Sequence, residues 1–259
     1  MEYQNVLVNV AAPHVASISL NRPNFLNTFS TAMAQDLYDA MMALENDPQI
    51  RVIILKGEGK AFCAGIDVNE LEGKSTIEYR RWIEQMERPL VAISKMKKPV
   101  IAQVQGVAAA NGMGLVASAD LAIAADNVKM GLTAINVGLN CVGPVIPVAK
   151  SIGRKRAMDL LLSGRLVKAE EALQMGLINK IVPKDSLEEE TLKWASEFAA
   201  KSPIAVQIAK SAFYTAEDLE YTKQFDYMNE AFARLCSADD AKEGVKAFLE
   251  KRNPIWKER

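Results

Sequence analysis

Two short apolar runs, Val6–Val10 and Val15–Leu20, flank an Ala12-Pro13 turn and predict paired strands. Ser30 precedes Met33, Leu37, Met41 and Leu44, whose spacing predicts a capped helix from about Thr31 to Glu45. Val52–Leu55 and Val100–Val104 are continuously apolar, as strands covered on both faces are. Helical sequence lies between them, from about Ser75 to Lys95. A short helix through Leu115 and Val116 precedes a strand-like Leu121–Ala125. From Pro144 onward the pattern reads as almost entirely helical, with breaks at Gly164, Gly176 and Pro183. Amphipathic helices are expected at Leu187–Ala200, Ile204–Thr215, Tyr221–Cys236 and Asp239–Lys251. Alternating strands and helices followed by a helical tail predict an α/β core with an α-helical C-terminal extension, in one compact unit.

Composition narrows the function classes. The 259 residues are 49% hydrophobic and 24% charged, with a formal net charge of -1. Such a balance gives no global attraction to nucleic acid or to an anionic membrane. No apolar stretch is long enough to predict a transmembrane helix, and Met1 to Val10 has no signal-peptide pattern. Cys63, Cys141 and Cys236 fit neither a disulfide framework nor a zinc spacing, so reduced thiols in a cytoplasmic setting are expected. The single histidine, His14, is read as a surface strand residue, which leaves no Ser-His-Asp triad and no histidine-based metal centre.

Two loops carry candidate chemistry. Ala61-Phe62-Cys63-Ala64-Gly65-Ile66-Asp67-Val68 follows one buried strand, and Gln105-Gly106-Val107-Ala108-Ala109-Ala110-Asn111-Gly112-Met113-Gly114 follows the next. Each places small residues where a strand is expected to give way to a short helix. Such junctions leave backbone N–H groups without helical partners, and small side chains let a ligand approach them. A thioester oxygen gaining negative charge would be stabilised by two such donors.

These segments, with Asn21-Arg22-Pro23, Lys98-Pro99-Val100-Ile101-Ala102-Gln103-Val104-Gln105-Gly106, Ser118-Ala119-Asp120 and the stretch from Gly164 to Pro183, resemble the enoyl-CoA hydratase/isomerase (crotonase) superfamily over essentially the whole chain. The run Ala134 to Cys141 and the ending Glu243 to Trp256 are similar to a divergent branch, the enoyl-CoA hydratase domain-containing protein 3 type. The resemblance implies a crotonase-like spiral of ββα units over residues 1–195 and a C-terminal helical trimerisation region over 196–259. It also implies a homotrimer or dimer of trimers, an acyl-CoA substrate, and no cofactor or metal beyond the coenzyme A that the substrate carries. Ile66 and Asn111 fall on the two backbone oxyanion positions, each such donor being worth roughly 2.7–4 kcal/mol in the transition state. Asn24, Phe25, Leu26 and Ala64 match CoA-lining positions, and Phe248 and Lys251 match residues that touch CoA from a neighbouring subunit.

The chain departs from the family at its chemistry. Family hydratases use two glutamates as acid and base; the matching positions here are Gly114 and Ala134. Asp67, Asn136, Asn140 and Cys141 are candidate polar site residues, with a structural reading beside each: Asp67 as a cap, Cys141 as a small buried thiol. Thr133, like Asn136, can orient water without ionising. Glu70, Glu84 and Glu87 flank the acyl region and otherwise read as a solvated helical face. The reaction stays open among hydration, isomerisation, decarboxylation and thioester cleavage through an enolate. A non-catalytic thioester-binding or scaffold protein is the alternative.

Overall fold

The computed structural model describes residues 3–257. Its main sheet has six strands in the order β1-β2-β3-β4-β6-β9: β1 (Val6–Ala12), β2 (Val15–Leu20), β3 (Val52–Gly57), β4 (Val100–Val104), β6 (Leu121–Ala125) and β9 (Lys180–Val182). β1 pairs antiparallel with β2, and every later pair is parallel. The central strands β3, β4 and β6 are mostly apolar because both faces are covered. Ile53, Leu55 and Ala102 point into the larger core, while Val52, Ile54, Ile101 and Ile123 point into a second, smaller one. Helix α1 (Thr31–Asn46) fills the first side with Met33, Leu37 and Met41, its start fixed by Ser30, whose hydroxyl accepts from the Met33 N–H at 3.2 Å. The smaller core is closed by α7 (Leu187–Ala199) through Leu187, Trp194 and Ala199.

Helix α2 (Thr76–Lys95) starts from a Ser75–Glu78 capping box and contains Pro89, which removes one helical hydrogen bond. A second sheet of three short strands, β5 (Val107–Ala109), β7 (Lys129–Gly131) and β8 (Val167–Lys168), stands beside the ends of β3 and β4. Between its first two strands runs α3 (Asn111–Ser118), and after them come α4 (Val145–Ile152), α5 (Arg154–Ser163) and α6 (Ala169–Met175). Helices α8 (Pro203–Glu217), α9 (Tyr221–Ser237) and α10 (Asp239–Glu250) form the helical tail. This is a mixed α/β architecture with a helical tail, as the sequence pattern predicts.

Three local expectations are corrected. The part beyond Pro144 is not purely helical, because β8 and β9 lie within it. Two or three residues are too few to display a strand period, yet β9 extends the main sheet through the Ala124–Ile181 pair. His14 is not in a strand: it occupies the β1–β2 turn at φ 64, where its Nδ1 donates to the Gln49 carbonyl at 2.9 Å. The segment after Ile66 forms only one 3-10 turn, Val68–Glu70, so a helix dipole acts at Asn111 but not at Ile66.

Candidate active site

The two small-residue loops are joined to each other by main-chain hydrogen bonds. Cys63 pairs with Ala108 in a parallel bridge: Cys63 N–H donates to Val107 O at 3.1 Å, and Ala109 N–H to Cys63 O at 2.9 Å. Small residues are required there. A Cβ on Gly106 would strike the Lys60 carbonyl, and one on Gly112 the Cys63 carbonyl. Ile66 is held from its other side: Phe29 N–H donates to Gly65 O at 2.7 Å and Asp67 N–H to Phe29 O at 3.0 Å. That pattern uses the Gly65 carbonyl and the Asp67 N–H and leaves the Ile66 N–H without a partner among the described residues.

Asn111 is the first residue of α3, and its N–H is likewise unpartnered among the described residues; the first helical hydrogen bond there comes from Gly114 N–H to Ala110 O at 3.0 Å. Ala110 makes the entry, at φ 48 and ψ -112. A residue with a Cβ is strained in that region by about 1–3 kcal/mol. The strain is held by Ala110 N–H, which donates to Gly131 O at 2.8 Å on β7.

Ile66, Ala110 and Asn111 form one wall of a cavity of about 470 Å³. Leu71, Tyr79, Trp82, Ile83 and Glu87, mostly from α2, also line it, as do Ala134 and Leu139 to Pro144. The lining is apolar and aromatic, with no Lys, Arg or His. Two residues with unpartnered N–H groups thus border an apolar chamber, an arrangement that suits an oxygen gaining negative charge during a reaction if both donors point into it.

The other candidates separate. Ala134, Asn140 and Cys141 line the cavity. Asn140 Oδ1 is buried with no hydrogen bond among the described residues. Burial pushes the Cys141 thiol up, with a hydrogen bond involving the Ala134 backbone acting the other way, so it stays protonated at neutral pH. Gly114 lies outside the lining, in α3 beneath Pro144 and Leu90. Asn136 turns away to donate to Gly164 O at 3.0 Å. Asp67 pairs with Arg22 at 2.9 Å and accepts from the Asn69 N–H at 3.2 Å, capping the turn. Burial acts to raise its pKa, but the Arg22 and Asn69 hydrogen bonds hold the carboxyl below the usual range.

Leu26 O accepts from the Ala64 N–H at 3.0 Å, which sets Asn24, Phe25 and Leu26 beside the first loop; Phe25 and Leu26 are exposed, and Arg22 stacks on the Phe25 ring at 4.9 Å. Phe248 and Lys251 lie at the exposed end of α10. Of the flanking glutamates, Glu70 accepts from the Thr31 N–H at 3.0 Å and Trp82 Nε1 at 3.2 Å, and Glu84 pairs with Arg80 on the surface. Only Glu87 reaches the cavity. Sequence reasoning passed over Asn27, which is fully buried; its Nδ2 donates to the Glu58 and Ala61 carbonyls at 2.9 and 2.8 Å, and its Oδ1 accepts from Arg22 N–H at 2.8 Å.

Known proteins are similar over the full length. The family pattern described as enoyl-CoA hydratase/isomerase matches residues 11–259. Human mitochondrial enoyl-CoA hydratase domain-containing protein 3 is 34% identical over 93% of this chain and 80% of its own. The mevalonyl-coenzyme A hydratase of Beauveria bassiana is 33% identical over 97% of this chain and 94% of its own. The crystal structure of an enoyl-CoA hydratase from Mycobacterium smegmatis superposes with a TM-score of 0.95 at 35% identity, covering 98% of this chain and 99% of that one. Among the described residues, no helix is long and apolar enough to cross a membrane.

Proposed function

The chain belongs to the enoyl-CoA hydratase/isomerase family, and from that premise we propose that it is an enzyme acting on an acyl-CoA thioester through an enolate. The Ile66 and Asn111 N–H groups hold the thioester oxygen while negative charge develops on it. The observation that carries this reading is the pair of unpartnered amides on one cavity wall. Binding begins at Asn24, Phe25, Leu26 and Ala64, beside the first loop. Phe248 and Lys251 reach CoA from a neighbouring copy, and residues 196–259 form the trimer contacts; exposed Phe213, Phe225, Phe232 and Leu249 support an interface there. No cofactor is needed beyond the coenzyme A of the substrate. Three unpaired cysteines support a reducing, cytoplasmic-type compartment.

Among the reactions of this family, decarboxylation of a malonyl-type substrate is disfavoured because no cation lines the cavity to receive a second carboxylate. A non-catalytic thioester-binding protein is the second reading, and the Pro144 packing over Gly114 is what favours it.

Purified protein incubated with crotonyl-, malonyl-type and branched acyl-CoAs, with products followed by mass spectrometry, distinguishes the readings. Asn111→Pro deletes one donor at the first helical position, at some cost from the φ 48, ψ -112 backbone of Ala110 before it; turnover is expected to drop at least roughly 10²–10³-fold. An undiminished rate in that variant removes the oxyanion assignment. Thioester binding with no turnover of any substrate supports the second reading.

A further inference from the structure

Glu87 is the only carboxylate among the residues that line the cavity, and it also borders two neighbouring grooves. It stands one helical turn beyond Ile83 in α2, so both side chains share the cavity face. Among the described residues it accepts no hydrogen bond and forms no ion pair. Its Oε1 fills the space that a Cβ on Gly143 would take, so the absence of a side chain at position 143 admits the carboxylate to this place. Burial raises its pKa above the ordinary value of 4.5, and the charge of Glu84 adds to the shift. The carboxyl is thus half-buried and without a partner among the described residues, where the charged form is disfavoured.

We propose that Glu87 is the acid–base residue of this site, moving a proton at the carbon next to the thioester carbonyl of an uncharged, apolar acyl group. The substrate class follows from a lining without Lys, Arg or His. The proposal rests on the reading that the cavity holds an acyl thioester. In the step, the C–H bond at that carbon breaks and its electron pair enters the enolate, whose charge rests on the thioester oxygen beside the Ile66 and Asn111 amides. The proton joins a Glu87 oxygen. Returned to the same carbon, it gives exchange with solvent hydrogen; returned two carbons further along a 3-enoyl chain, it moves the double bond into conjugation. One carboxylate suffices for either outcome, whereas hydration needs a second group to deliver water.

Hexanoyl-CoA in D2O, followed by NMR for deuterium at the carbon next to the carbonyl, and 3-hexenoyl-CoA, followed for the conjugated product, test this directly. Wild type is expected to exchange or isomerise, and Glu87→Gln, which keeps the shape, to slow both by roughly 10²–10⁴-fold with its affinity for hexanoyl-CoA retained. Gly143→Ala keeps the charge but displaces the carboxylate, and is expected to slow both steps while the melting temperature holds. The wild-type rate should fall as acid protonates Glu87, a limb absent from the Glu87→Gln profile. Exchange that survives Glu87→Gln overturns the role of Glu87 alone. Binding without exchange in wild type also overturns it and leaves the binding site standing. Failure to bind either thioester overturns the reading beneath it.

Discussion

Gly114→Ala tests whether the position expected from the sequence to match a family glutamate is packed shut. An ideal Cβ at Gly114 lies 2.9 Å from Pro144 Cβ, 3.0 Å from Leu90 Cδ2 and 3.2 Å from Pro144 Cα. The leucine methyl can swing aside, but the proline ring is fixed by its own backbone. Alanine is the better helix former by about 1 kcal/mol, while overpacking a tight core costs about 1–3 kcal/mol. The balance is a destabilisation of roughly 1 kcal/mol, which lowers the melting temperature of a chain this size by about 2–4 °C. Gly114→Glu adds a buried carboxylate without a partner and is expected to cost about 3 kcal/mol or more. Ala134→Glu, at a position that lines the cavity, avoids the contact with the Pro144 ring and is expected to cost less than Gly114→Glu. Urea unfolding of the three variants, with the slope compared to wild type, reads these differences. A Gly114→Ala protein more stable than wild type would refute the reasoning, because the propensity gain could then be realised without any clash.

Asn27→Ala removes three hydrogen bonds and leaves alanine at φ 54; a loss of about 2–4 kcal/mol is expected in denaturant unfolding. Asp67 has a folded pKa below its ordinary 3.8, so the stability it adds is present above that value and lost as pH falls through the lower, folded one. Acid titration monitored by circular dichroism should therefore show a shallower loss in Asp67→Asn than in wild type below about pH 4. Iodoacetamide near neutral pH should label the exposed Cys236 and spare both Cys63, pushed up to about 12, and Cys141, as intact-mass measurement will report.

The α/β core was legible because its signals are local. Ser30 stands directly before the apolar stripe of α1, and β3 and β4 are unbroken apolar runs. β9 was not legible, since a three-residue strand has no period and its pairing with β6 depends on residues nearly sixty positions away. The small-residue loops announced themselves through residues that cannot be larger, as the contacts at Gly106 and Gly112 explain. Asn27 gave no sign, because the Glu58 and Ala61 carbonyls that it serves come near only in the fold. Glu87 stood out in the sequence only together with Glu70 and Glu84 as a group flanking the acyl region; which of the three reaches the cavity depends on the fold, where the bare Gly143 admits its carboxylate.

The Cys63–Ala108 bridge means that the two loops have no joint between them along which to separate. Any adjustment to differently shaped guests must therefore come from the far side, where α2 and the 139–144 segment meet the cavity. Selectivity can drift by substitutions at Tyr79, Trp82 or Ile83 while the aim of the amides stays fixed. On the proposed function, a lineage could in this way exchange one acyl group for another while the two loops stay as they are.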